Sequence, residues 1–446
     1  MSILSMAGQL MLSLSILIVL HELGHFIPAR LFKTRVEKFY LFFDPWFSLF
    51  KIKKGETEYG IGWLPLGGYV KISGMIDESF DSAQMAQEPQ PWEFRSKPAW
   101  QRLIIMLGGV TVNFILGFVL FGITLFIWGE SYIPASQVKE GISVDSLGRN
   151  LGLLDGDKIL KIGKKPFKEF NDRMVIRGII IDNAKSIEVL RNEEIVRIPV
   201  EEKWVDILSR YENKSNFLFS ARIPFIISSV AKNSPAEKGG LKTDDVVLGF
   251  DDINTPYFND FAKAIKPFAN KKISLHILRN SDTLSLPLTL TKEAKIGAYT
   301  YPYNHFFKSE IRNYSLLEAI PAGFVQGSQF LGDQFKAFGQ MFKGKIKASE
   351  SLGGFGSIAS MYGDVWVWER FWKMTAILSL ILGFMNLLPI PALDGGHVMF
   401  LLYEVVTGRK PSDKFMEIAT MIGFILILSL VVFANGLDIF RNFFNK

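Results

Sequence analysis

The chain has 446 residues, 48% of them apolar and 21% charged, with a net charge of +6 and no cysteine. It is too apolar for a disordered chain and long enough for two or more folded units. The mild charge, with no basic run interleaved with aromatics, argues against nucleic-acid binding, and the lack of cysteine excludes disulfides and thiolate metal sites.

Residues 1–20 carry no Asp, Glu, Lys or Arg, and the same holds for 103–128, 374–393 and 418–437. Each stretch has about the 20 residues that a helix needs to cross a bilayer. The first lacks the basic start and the small-residue cleavage site of a signal peptide. Four transmembrane helices are therefore predicted, and the Lys and Arg pattern orients them. No basic residue precedes His21, whereas Arg30, Lys33, Arg35 and Lys38 follow it, Arg95, Lys97 and Arg102 precede the second span, and Arg409, Lys410 and Lys414 separate the last two. Positive residues stay cytoplasmic, so residues 26–102 lie inside, and both termini and the segment 129–373 lie outside.

The first span ends in LIVLHELGHF, residues 17–26. On a helix, His21 and His25 share a face and can converge on one Zn²⁺, with Glu22 one position round as a base for water. Two histidines at a helix end can also serve only its carbonyls and dipole. Ionisable groups beside lipid are costly and usually functional, which favours the metal.

Residues 141–200, shifted by 88, meet 229–288 without a gap: Gly152-Leu153 falls on Gly240-Leu241, Asp157 on Asp245, Phe170-Asn171-Asp172 on Phe258-Asn259-Asp260, and Leu190-Arg191-Asn192 on Leu278-Arg279-Asn280. This is a duplication of short β-rich runs with one helical stretch per copy. The pieces GLLDGDKILKIG and SPAEKGGLKTDDVVLGFDDI resemble PDZ domains, giving a first at 129–212 and a second at 213–300. Such domains bind peptide C-termini by strand addition; the pair can equally act as a size filter. Within the linker 301–370, residues 316–343 space Phe324, Phe330, Phe335, Phe338 and Phe342 at helical intervals. That amphipathic helix either lies on the outer membrane surface or packs on the duplicated pair.

A hydrolytic zinc takes three protein ligands and keeps one position open. His276 lies in a predicted strand and His305 in YPYNHFF, neither at membrane depth. In the third span, NLLPIPALDGGH (386–397) offers Asp394 and, further on, His397 as a rival. Pro389 and Pro391 break the helix, and Gly395-Gly396 permit a tight turn just after Asp394. Each span reaches its candidate ligand after about 19 residues, roughly 28 Å of helix, so both arrive near the cytoplasmic side.

HELGH, the paired PDZ-like modules and NLLPIPALDGG together resemble the site-2 protease family of intramembrane zinc metalloproteases. YGIGWLPLGGYVKISGM resembles the membrane-associated β-hairpin of that family, here within 45–75, and FRSKPAWQRLIIMLGG and SLGGFGSIASMYG resemble the entries to the second and third spans. The family usually has Gly-Pro where this chain has Gly109-Val110 and Gly354-Phe355. The resemblance implies one zinc held by His21, His25 and Asp394, with Glu22 as catalytic base, Asn386 holding substrate and Asn113 near the site. It also implies an inner-membrane protein with a periplasmic PDZ pair, acting on single-span substrates such as anti-sigma factors or remnant signal peptides. The hairpin either pairs an edge with an extended substrate, with Gly60, Ile61 and Gly62 as substrate-binding positions, or only covers the site. Two other functions fit parts of the sequence. A quality-control zinc protease at the cytoplasmic face would take a downstream Glu as third ligand, and a PDZ scaffold would leave HELGH and LDGG without a role.

Overall fold

The structure, a computed structural model, describes residues 2–65, 67–75, 88–213 and 216–444. Leu66 of the hairpin region, and residues 76–87 of the segment expected inside, lie outside the described residues. The chain forms two compact units, Met1–Gly129 with Asn313–Lys336 and Leu352–Lys446, and Glu130–Arg312 with Ala337–Ser351.

In the first unit, α1 (Ser2–Leu31) runs through the HELGH motif. A four-stranded sheet follows: β1 (Val36–Leu41), β2 (Phe43–Lys54), β3 (Thr57–Leu64) and β4 (Tyr69–Ile72). Then come α2 (Ala99–Trp128), the part of α3 (Leu316–Phe342) up to Lys336, α4 (Phe355–Tyr362), α5 (Trp368–Leu387), α6 (Asp394–Thr407) and α7 (Asp413–Phe444). Among the described residues three helices are long and apolar enough to cross a membrane: Ile3–Leu31, Ala99–Trp128 and Lys414–Arg441. The third expected span is a 20-residue helix that carries Glu369, Arg370 and Lys373 in its first turns. Large apolar side chains stand exposed along α7, Ile422, Ile425 and Val432 among them, a pattern suited to lipid contact.

Small residues set the helix spacing, as they do where apolar packing alone gives no driving force. A Cβ on Gly108 would lie 1.9 Å from the Gly24 carbonyl oxygen, so α1 and α2 touch backbone to backbone. A Cβ on Gly323 would come within 2.3 Å of the Gly122 nitrogen, and the Phe118 and Phe324 rings sit 4.8 Å apart. The stretch of α3 in this unit therefore packs on α2.

The hairpin expected within 45–75 is part of a larger sheet of order β2-β3-β1-β4, turning at Gly55 (φ 65°). β1 runs parallel to β3 and antiparallel to β4. Gly60, Ile61 and Gly62 thus lie on an inner strand: Gly60 and Ile61 face Tyr40 and Leu41 of β1, and all three face β2. They offer no free edge, which corrects that expectation. Their glycines make room instead, since a Cβ on Gly60 would meet the Tyr40 ring at 2.3 Å and one on Gly62 the Phe43 oxygen at 2.0 Å.

In the second unit, the first half has a sheet of order Glu194–Pro199, Ser186–Arg191, Lys158–Ile162, Lys165–Pro166. The second half repeats it as Asp282–Thr289, Lys272–Arg279, Val246–Phe250, Ile253–Asn254. Equivalent helices, Asp172–Ile180 and Phe258–Ala264, cover them. The expected boundary at 213 falls too early, because Phe219–Ala221 pairs with Ile142–Val144 of the first half.

The repeat extends to ion pairs. Arg191 bonds both oxygens of Asp157 at 2.8 Å and the Gly152 carbonyl at 2.9 Å. Arg279 bonds both oxygens of Asp245 at 2.6 Å and the Gly240 carbonyl at 2.8 Å. Asp245 is buried, so Arg279→Ala strands a carboxylate without its cation. The expected loss is about 3 kcal/mol, read as a lower melting midpoint for the unit in detergent. A shift no larger than that of an exposed lysine substitution would refute it.

Candidate metal centre

His21 and His25 are one turn apart on α1, both buried, with rings edge-on and centroids 4.9 Å apart. They face α2 at Gly109, where a Cβ would come within 2.3 Å of His25 Nε2 and 2.6 Å of His21 Cε1. Only glycine lets α2 approach this closely.

α5 ends at Leu387, and the chain turns through Leu388–Leu393 into α6. The prolines break the helix as predicted, but the glycines act differently. The left-handed residue is Ala392 (φ 87°), not Gly395 or Gly396. Those two lie in the first turn of α6, where carbonyls of the break fold over them. A Cβ on Gly395 would sit 2.2 Å from the Leu388 oxygen and one on Gly396 2.6 Å from the Ile390 oxygen. Space, not φ, demands glycine here. The turn delivers Asp394 to the histidines.

The result is a triangle: His21 Nε2 to His25 Nε2 3.3 Å, His21 Nε2 to Asp394 Oδ2 3.4 Å, His25 Nε2 to Asp394 Oδ2 3.3 Å. Tetrahedral ligands bound at about 2.0 Å stand about 3.3 Å from one another. The residues present therefore fit zinc without rearrangement. Among the described residues this is the one such group of three or more. The far side of His25 agrees: its Nδ1–H donates to the Ile105 carbonyl at 2.8 Å, which leaves Nε2 with a lone pair for a metal.

The structure brings most of the other candidates here. Asn113, fully buried on α2, has its amide 3.0 Å from His21 Nδ1. Asn386, in the last turn of α5, lies 3.3 Å from His21 Nε2. Glu22 is buried, and a Cβ on Gly68 would lie 3.6 Å from its Cγ, so the residue before β4 reaches the site. His397 lines a separate cleft with Phe94, Arg102 and Glu404. His276 bonds Ser285 and the Asp251 carbonyl, and His305 stacks on Tyr301. Sequence reading missed Gly109, Gly68 and the Ile105 carbonyl; adjacent glycines inside an apolar helix and before a strand were the available signal.

A model of peptidase family M50 matches residues 9–430. The regulator of sigma E protease of Haemophilus influenzae is 27% identical, covering 99% of this chain and 100% of that protein. A putative zinc metalloprotease of Neisseria meningitidis is 26% identical over 96% and 97%, and one of Borreliella burgdorferi 27% identical over 96% of each chain.

Proposed function

The chain belongs to peptidase family M50, and we propose that it is an intramembrane endopeptidase with zinc held by His21, His25 and Asp394. Zinc-dependent peptidase activity follows from the family and from relatives named as zinc metalloproteases. The observation that carries the site assignment is the triangle of three ligand atoms at tetrahedral spacing. Its ligands come from an apolar helix and from the break after another. A centre so placed serves substrates that arrive within the bilayer, that is, single-span membrane proteins.

Bound there, zinc supplies a Lewis acid that polarises a peptide carbonyl and acidifies water. Glu22 takes the proton of the attacking water and passes it to the leaving nitrogen. Asn386 donates its amide N–H to the substrate backbone beside His21. A helix hides its peptide bonds, so the scissile stretch must become extended. Its docking edge is β4, which among the described residues pairs only with β1 and follows Gly68 beside Glu22. An open strand edge can take an added strand, and an extended substrate supplies one.

The four uncharged stretches support four spans (α1, α2, α5 and α7), and the basic-residue pattern orients them with residues 26–102 cytoplasmic and both ends periplasmic in an inner membrane. The duplicated unit comprises two PDZ domains, with the strand Phe219–Ala221 counted to the first, and these receive peptide C-termini of trimmed substrates. One relative is named as a regulator of sigma E protease; the matching substrates are membrane-anchored anti-sigma factors, with remnant signal peptides as a second group.

The purified chain is expected to hold one zinc and to cut a single-span substrate, with cleavage lost to chelator and restored by zinc. Proline placed along the substrate should block cutting next to the scissile bond. Equal cutting at every proline position would rule out strand addition at β4.

A further inference from the structure

We infer that Asn113 is a positioning residue for His21: its side-chain oxygen accepts the Nδ1 proton of that ring and so reserves Nε2 for the metal. The inference rests on the zinc-peptidase reading above. The family resemblance sets Asn113 near the site, and its fully buried place beside the outer nitrogen of His21 gives it a role there.

The amide nitrogen, as placed, lies 3.0 Å from His21 Nδ1, while Oδ1 is buried with no hydrogen-bond partner. Amide oxygen and nitrogen exchange places by a half-turn, and the network decides between them. With nitrogen toward the ring, the amide donates to Nδ1, and the ring proton must sit on Nε2. That proton would point at His25 Nε2 and Asp394 Oδ2, 3.3 and 3.4 Å away, into the space the metal needs. With oxygen toward the ring, Nδ1–H donates to Oδ1, and Nε2 turns a lone pair inward. His25 already follows this rule, because the Ile105 carbonyl can only accept. Both ligands then share one tautomer, each fixed by an acceptor on α2.

The backbone that carries Asn113 is itself held from α5. Ser379 Oγ on α5 donates to the Asn113 backbone oxygen at 2.7 Å, and Gly383 on the same helix leaves 3.3 Å between its would-be Cβ and Asn113 Cβ. The helix that leads into the Asp394 turn thus holds the residue that holds His21.

The test is zinc affinity of the full-length chain, measured by competition against a chelator without any turnover. Asn113→Leu and Asn113→Ala should weaken binding by about 10–100-fold, the usual cost of losing a partner behind a ligating histidine. Asn113→Asp, which can only accept, should hold zinc within about threefold of wild type. Wild-type affinity in both Leu and Ala variants, or an Asp variant as weak as Leu, overturns the inference. A wild-type chain that holds no zinc overturns the peptidase reading instead, so the two failures are distinct. Running three variants guards against one that fails to fold.

Discussion

Glu22→Gln is expected to leave zinc in place and cut turnover by about 10²–10⁴-fold, the range of a lost general acid–base. Glutamine keeps the size and packing of Glu22 but cannot take a proton from water or return it to the leaving nitrogen. The three atoms of the triangle belong to His21, His25 and Asp394, so metal binding does not need the Glu22 carboxylate. The split between intact zinc and lost turnover is the diagnostic result. A labelled single-span substrate in single-turnover assays, alongside zinc content, measures both. Residual turnover within tenfold of wild type would remove Glu22 from the chemistry. Because binding does not require the proton transfer, the variant should also retain substrate as a stable complex.

Asp394→Ala has the opposite signature. It removes one corner of the triangle and leaves two imidazoles 3.3 Å apart. Two ligands hold zinc far more weakly than three, so affinity should fall by more than about 100-fold, beyond the range seen when only a supporting hydrogen bond is lost. Zinc per chain, measured after dialysis against nanomolar free metal, should drop well below one, and cleavage should vanish with it. Added zinc should recover little activity, since the position Asp394 fills would be taken by water. Full metal occupancy with undiminished scission would mean that another residue completes the site.

The chemistry of the site was readable because it is local. The HELGH spacing sets two histidines on one helix face, and the prolines before LDGG announce a break near a carboxylate. The 88-residue repeat was readable from its gapless alignment, while the Arg191–Asp157 and Arg279–Asp245 pairs within it came only with the fold. What failed depended on partners distant in the chain. Gly60, Ile61 and Gly62 read as an edge, but β1 inserts between β3 and β4, and no pattern within the hairpin reveals that. The strand Phe219–Ala221 is three residues long, too short to carry an alternation. The helix at 316–342 was found, yet its apolar spacing did not say that Gly323 seats it on Gly122. Gly395 and Gly396 were singled out for backbone freedom, whereas the folded-back carbonyls of Leu388 and Ile390 are what exclude a side chain.

The metal centre draws its parts from far apart in the chain: 368 residues separate His25 from Asp394. During synthesis, a nascent chain with its first helices already in the membrane holds the two imidazoles but not the carboxylate. Among the described residues no other set of side chains can stand in for it. Hydrolytic capacity therefore arises only after the chain has grown past Asp394 and the break that carries it has been inserted. A product released early by a stalled ribosome is inert toward the membrane proteins around it.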